Sequence, residues 1–112
     1  MELTLTEQLQ YAIEYQYLIE TCFMNEAAGD ITDAQRLANF TRFVNKWVKV
    51  PVTGVSIDTK KSVVVIKAKT EEQANKFKEE FLRSDRAKKD FKVTKITKDG
   101  HIHIKSHLVG AD

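Results

Sequence analysis

The hydrophobic period of this chain changes once, at its single proline. Before Pro51 the apolar residues recur every three or four positions; after it they tend to alternate. Proline cannot continue a helix, and it pushes Val50 toward extended backbone. The chain therefore divides into a helical first part and a strand-rich second part, and the α+β class is expected.

In the first part, Thr4 and Glu7 form a capping box, so a helix should start near Leu5. Leu5, Leu9, Ala12, Ile13, Tyr17, Ile19, Phe23, Met24 and Ala27 then recur at helical spacing, and Gly29 is a natural stop. A second row, Tyr11, Tyr15, Leu18 and Cys22, flanks that stripe. Together the two rows cover more than half the circumference. Such a helix is either enclosed between other elements or shared with another chain. Thr32 and Gln35 make a second capping box. Ala34, Leu37, Phe40, Phe43, Val44, Trp47 and Val48 define one face of the helix it starts, opposite Arg42, Asn45, Lys46 and Lys49. The pair reads as an αα-hairpin.

In the second part, Val52 to Ile57 is a candidate strand, weakened by Gly54. The run from Ser62 to Ala68 is β-branched and apolar on both faces, which places it centrally in a sheet. Thr70 and Gln73 form a third capping box before a helix that buries Ala74, Phe77, Phe81 and Leu82. The helix should fray through residues 84–90. Phe91 to Thr97 and His101 to Leu108 are two further strands around an Asp99-Gly100 turn. The expected architecture is an N-terminal αα-hairpin packed on a ββαββ unit with a mainly antiparallel four-stranded sheet. A length of 112 residues suits one domain. The only subdivision would separate 1–49 from 52–108, and those parts are expected to share a core.

One cysteine, Cys22, allows no internal disulfide and suits a reducing compartment. The N-terminus has no basic region followed by an apolar run, and no stretch nears the roughly 20 apolar residues of a membrane span. An intracellular, cytoplasmic protein without a membrane partner is expected. The four glycines lie singly, so no phosphate-cradling loop is present and no cofactor is expected. Cys22 falls mid-helix in an apolar row, the setting of a core cysteine. His101 and His103 share one face of a strand, about 7 Å apart. They could hold Zn²⁺ only with ligands from elsewhere, and Lys105 on the same face opposes a cation. A solvent-facing edge, with Ile102 and Ile104 inward, is the expected reading. No metal site and no enzyme activity are expected, although these histidines are the chain's only catalytic candidates.

Two binding surfaces remain. All three tyrosines fall within seven residues of the first helix, and tyrosine is enriched at interfaces. The preferred reading is a small accessory or regulatory protein that binds a protein partner or itself. It would dock through Tyr11, Tyr15 and Leu18, with the polar face of the second helix setting specificity. Charge supports the alternative. Residues 1–50 carry four Lys/Arg against seven Asp/Glu, while residues 51–112 carry 14 against nine. A nucleic-acid-binding domain would use Lys60 and Lys61, Lys88 and Lys89, and Lys98, at hairpin tips and a helix–strand junction. Scarce arginine and the lack of spare aromatic residues in that half weigh against it.

Overall fold

The structure is a computed structural model that describes residues 3–23, 32–58 and 60–109. Helix α1 spans Leu5–Leu18, and both halves of its Thr4/Glu7 capping box are made. A wider π-helical turn, Ile19–Phe23, continues it. The expected stop at Gly29, with Met24 and Ala27, lies outside the described residues. Helix α2, Asp33–Phe43, is capped reciprocally by Thr32 and Gln35. It also runs into a π turn, Val44–Val48, and ends on Lys49 in the left-handed region, φ 61°. Helix α3, Glu71–Phe81, makes only half of its expected box: Thr70 accepts from the Gln73 backbone. Residues expected to fray instead form a short helix, α4, Asp85–Asp90. Ser84 caps it, accepting from Ala87 N at 3.1 Å, and Ala87 is fully buried. A serine cap and one buried contact suffice where the flanking sequence is otherwise charged.

The strands are β1 (Gly54–Asp58), β2 (Val63–Lys67), β3 (Phe91–Ile96) and β4 (His101–Ser106). They form one antiparallel sheet in the order β1-β2-β4-β3. The apolar run of β2 takes an interior position, as its composition predicts. Pairing partners share a face. Val64 opposite Ile104 and Ile66 opposite Ile102 therefore point to one side, all of them buried. On β3 the register shifts between Val93 and Lys95, leaving Thr94 as an extra residue. This bulge keeps Phe91, Val93 and Ile96 on the inner side while Lys92 and Lys95 face out.

The helices supply the other wall of the core. Phe40 stacks near Phe77 (5.9 Å between ring centres), Phe77 on Phe81 (5.3 Å), and Phe81 meets Phe91 (5.3 Å). Phe23 closes this chain of rings against Phe40 and Phe91. Buried residues from before and after Pro51 belong to one continuous cluster. Each such ring contributes about 1.5–3 kcal/mol of burial free energy.

Gly100 holds the β3–β4 turn against the β2–α3 connection. Its φ is 89°, its carbonyl accepts from Ala68 N at 2.8 Å, and a Cβ would lie 2.8 Å from the Ala68 carbonyl oxygen. Gly100→Ala is expected to cost about 1–3 kcal/mol, read as a lower urea midpoint with an unchanged m-value. An unchanged midpoint would show that the turn relaxes freely.

Candidate functional site

Helix α1 has two apolar faces, and the structure decides which is inside. Tyr15 is fully buried, stacked on Tyr11 (5.9 Å) and edge-on to Phe43 (6.3 Å). Tyr11 meets the Trp47 ring edge-to-face at 5.3 Å. The Tyr15 hydroxyl donates to Asp90 Oδ2 at 2.9 Å, and the Arg86 guanidinium lies over the ring at 4.8 Å. Burial, then the hydrogen bond to Asp90, pushes the phenol far above its ordinary range. Leu18 is buried as well, and Tyr11 is half-buried. The expected docking flank Tyr11, Tyr15, Leu18 therefore faces the chain's own interior. The reason lies in the end of α2 and the π turn after it, which set the rings of Phe43 and Trp47 against the tyrosine row.

What α1 shows to solvent is the other row. Leu5 is 74% exposed, Leu9 62%, Ile13 66% and Tyr17 54%. Ile19 and Phe23, which ideal periodicity groups with that row, are buried. The π turn rotates each residue less per step, so Phe23 comes round to the inner face. The only charged residues of α1 are Glu7 and Glu14. Glu7 accepts from Thr4 N in the cap. Glu14 turns toward α2 and accepts from Lys46 Nζ at 2.7 Å, Gln10 Nε2 at 2.7 Å and Trp47 Nε1 at 3.4 Å. Within Leu5–Leu18 the outward face carries no charge; Glu20, in the π turn that follows, is exposed and accepts from Gln16 Nε2 at 3.1 Å. A groove of ≈ 190 Å³ adjoins the outward face, where Tyr17 and Glu14 face Asn39 and Arg42 of α2.

The second open surface is the side of the sheet away from the core. The register sets three rows across it: Asp58–Val63–Lys105–Lys92, Ser56–Val65–His103–Lys95 and Gly54–Lys67–His101. The lysines expected to meet nucleic acid are divided between its two ends. Lys60 and Lys61 lie in the β1–β2 turn, and Asp58 Oδ1 accepts from both backbones. Lys88 and Lys89 close α4 at the same end, where Lys89, Lys92, Lys105 and His107 line a groove of ≈ 320 Å³. Lys98 is in the β3–β4 turn at the opposite end, one strand length away, roughly 17–20 Å. The five are not brought to one locus.

Cys22 is fully buried, with its thiol directed at the Arg36 carbonyl (3.6 Å). Burial raises its pKa to about 11. His107 Nε2 lies 4.0 Å from Asp90 Oδ1, whose other oxygen holds Tyr15. Among the described residues, no group of three or more His, Cys, Asp or Glu is placed to hold a metal. No described helix is long and apolar enough to cross a membrane. The outward α1 row was legible as a stripe but not as the exposed one. The sheet-face lysines follow from strand alternation once the Thr94 bulge is known. No family model matches the chain, and neither does any curated protein or solved structure.

Two outcomes test this geometry. Native Cys22 is expected to resist iodoacetamide at pH 8, where the urea-unfolded chain reacts fully, because only the thiolate attacks. Equal rates would mean an open thiol. For Glu14, burial raises the pKa, but the bonds from Lys46, Gln10 and Trp47 outweigh it and hold the value below 4.5. Its stabilisation is therefore present above about pH 4.5 and lost as pH falls through the lower folded value. Glu14→Gln should flatten the fall in Tm between about pH 5 and pH 3, removing about 0.5–1 kcal/mol of acid sensitivity. An unaltered Tm profile would contradict the assignment.

Proposed function

We propose that this chain is a non-enzymatic accessory or regulatory protein that works by protein–protein binding, and that the partner on α1 is a second copy of itself. The observation that carries the reading is the row Leu5, Leu9, Ile13, Tyr17: four large apolar side chains, 54–74% exposed, with no charge between them and Glu20 beyond their end. At roughly 60–120 Å² for a Leu or Ile side chain and 150–250 Å² for Tyr, the row leaves about 300–400 Å² of apolar surface in water, within the range of a typical monomer's largest patch. Two such faces would bury about 600–800 Å² between them, short of the roughly 1,000 Å² of a specific interface. Thr6, Gln10, Ala12 and Gln16 beside the row add to that figure.

The spacing favours a copy over an unrelated protein. The row repeats every four residues, so it reads the same when the helix is reversed. An antiparallel two-fold pair sets Leu9 against Ile13 and Leu5 against Tyr17, with each contact made twice. Rows at i, i+4 interdigitate at a crossing angle of about −50°. Tyr17 adjoins the α1–α2 groove, and Leu5 of the second copy would reach toward it. Asn39 and Arg42 then border the interface and contribute its polar rim. The buried, poorly ionised Cys22 supports a role without nucleophilic chemistry.

Leu9→Glu with Ile13→Glu tests the reading. Both positions are open to solvent, so folding free energy should change by no more than about 0.5 kcal/mol per site. Light scattering is expected to give a dimer mass for the parent chain and a monomer mass for the variant, with the same helix content by circular dichroism. A parent chain that is monomeric at millimolar concentration, or a variant that stays dimeric, would overturn it.

A further inference from the structure

The uncovered face of the sheet is cationic in a way that stability does not explain. Lys67, Lys92, Lys95 and Lys105 all lie on it, with His101 and His103 between them. Lys92 stands directly opposite Lys105, Lys95 opposite His103, and Lys67 opposite His101. Of these pairs Lys92 and Lys105 set like charges directly opposite each other, which destabilises a ladder. None of the four lysines forms an ion pair among the described residues. The one carboxylate in the three rows is Asp58, at a corner, and it is committed to the Lys60 and Lys61 amides. A face serving solubility alone would mix both signs. Guarding a sheet edge is another use of lysine, and it accounts for Lys92 and Lys95 on edge strand β3. It does not account for Lys67 and Lys105, because β2 and β4 are interior strands with no free edge.

The centre of the face has a different character. Val63, Val65, His101 and His103 occupy adjacent positions on β2 and β4, each partly exposed. His103 and Val65 also border a groove of ≈ 380 Å³ that runs toward Ser56 and Lys61. Two planar rings about 7 Å apart along one strand, flanked by aliphatic side chains, form a platform for flat, uncharged groups. Cations at its margins suit a partner that carries anions beside such groups at regular intervals.

We propose that this face binds single-stranded nucleic acid, with bases laid on His101, His103, Val63 and Val65 and phosphates on Lys67, Lys92, Lys95 and Lys105. The geometry selects a single strand over a duplex. The surface is a four-stranded sheet about 15–20 Å wide, and among the described residues no helix or ribbon projects from it to enter a groove. Open sheets of this kind receive two or three unstacked bases, and the lysines supply sequence-independent affinity. The surface is separate from the outward face of α1, so the binding does not depend on dimerisation.

The test is fluorescence anisotropy with a short fluorescein-labelled oligothymidine, compared with a duplex of equal length and with poly-glutamate. Micromolar binding at low salt is expected, weaker for the duplex and for poly-glutamate. Four phosphate contacts predict a slope of log K against log salt of about −3. Lys92→Glu with Lys95→Glu should reduce affinity at least tenfold and flatten the slope. His103→Ala should reduce affinity while leaving the slope unchanged. Lys105→Glu has a second readout that misfolding cannot mimic. It places opposite charges at the Lys92 position, so Tm should rise while binding falls. The Leu9→Glu, Ile13→Glu chain should bind the strand with the parent's affinity per chain. No binding at low salt would overturn the proposal. So would equal affinity for poly-glutamate or for the duplex, or indifference to the Lys92 and Lys95 reversals.

Discussion

Tyr15 is where the two parts of the chain are joined. Its ring lies among Tyr11, Phe43 and the Arg86 guanidinium, and its hydroxyl is bound by Asp90 at the end of α4. One side chain thus connects the first helix to the second, and both to the point where β3 begins. A buried phenol without an acceptor would cost about 1–3 kcal/mol, so the position of Asp90 is part of the packing. Arg86 also bonds to Gln16 and lies 3.7 Å from Asp90, which fixes the rotation of α1 about its axis. That rotation decides everything the helix shows to solvent. With Tyr15 inward, Leu5, Leu9, Ile13 and Tyr17 are outward.

Local features of the fold were legible in the sequence. The Thr4/Glu7 and Thr32/Gln35 boxes act over three residues and form in full, while the equally local Thr70/Gln73 box is half made. The central place of β2 follows from its two apolar faces. The inward Ile102 and Ile104 follow from simple alternation. Where the reading fell short, the deciding partner is remote. Both faces of α1 are apolar, and the choice between them rests on Phe43, Trp47 and Asp90, the last of these 75 residues from Tyr15. A fixed period of 3.6 groups Phe23 with Leu5, Leu9 and Ile13, and only the π turn, which that period does not show, brings it to the inner face. Helix α4 has one buried residue and six positions, too few for any periodicity to show.

The same remoteness separates the two surfaces. The α1 row is apolar because a helix whose inner face is secured by aromatic packing can carry a second apolar face without disturbing the core. The sheet face is cationic because strand alternation sends every second residue away from the helices. The Thr94 bulge then returns Lys95 to that side after Val93 has turned in. Neither surface contributes to the hydrophobic core. Each carries a local cost, exposed apolar area in one case and opposed charges in the other, and the partner proposed for each would relieve it.

The central claim is that α1 has an inner face held by Tyr15 and an outer face that meets a second copy. Methyl-resolved NMR across a dilution series observes both at once. The account predicts that the methyl signals of Leu5, Leu9 and Ile13 shift with protein concentration, while those of Ile66, Ile102 and Ile104, all buried, stay fixed. Leu5, Leu9 and Ile13 signals that do not move at any concentration would contradict it. So would contacts from those methyls to the chain's own core in the monomer.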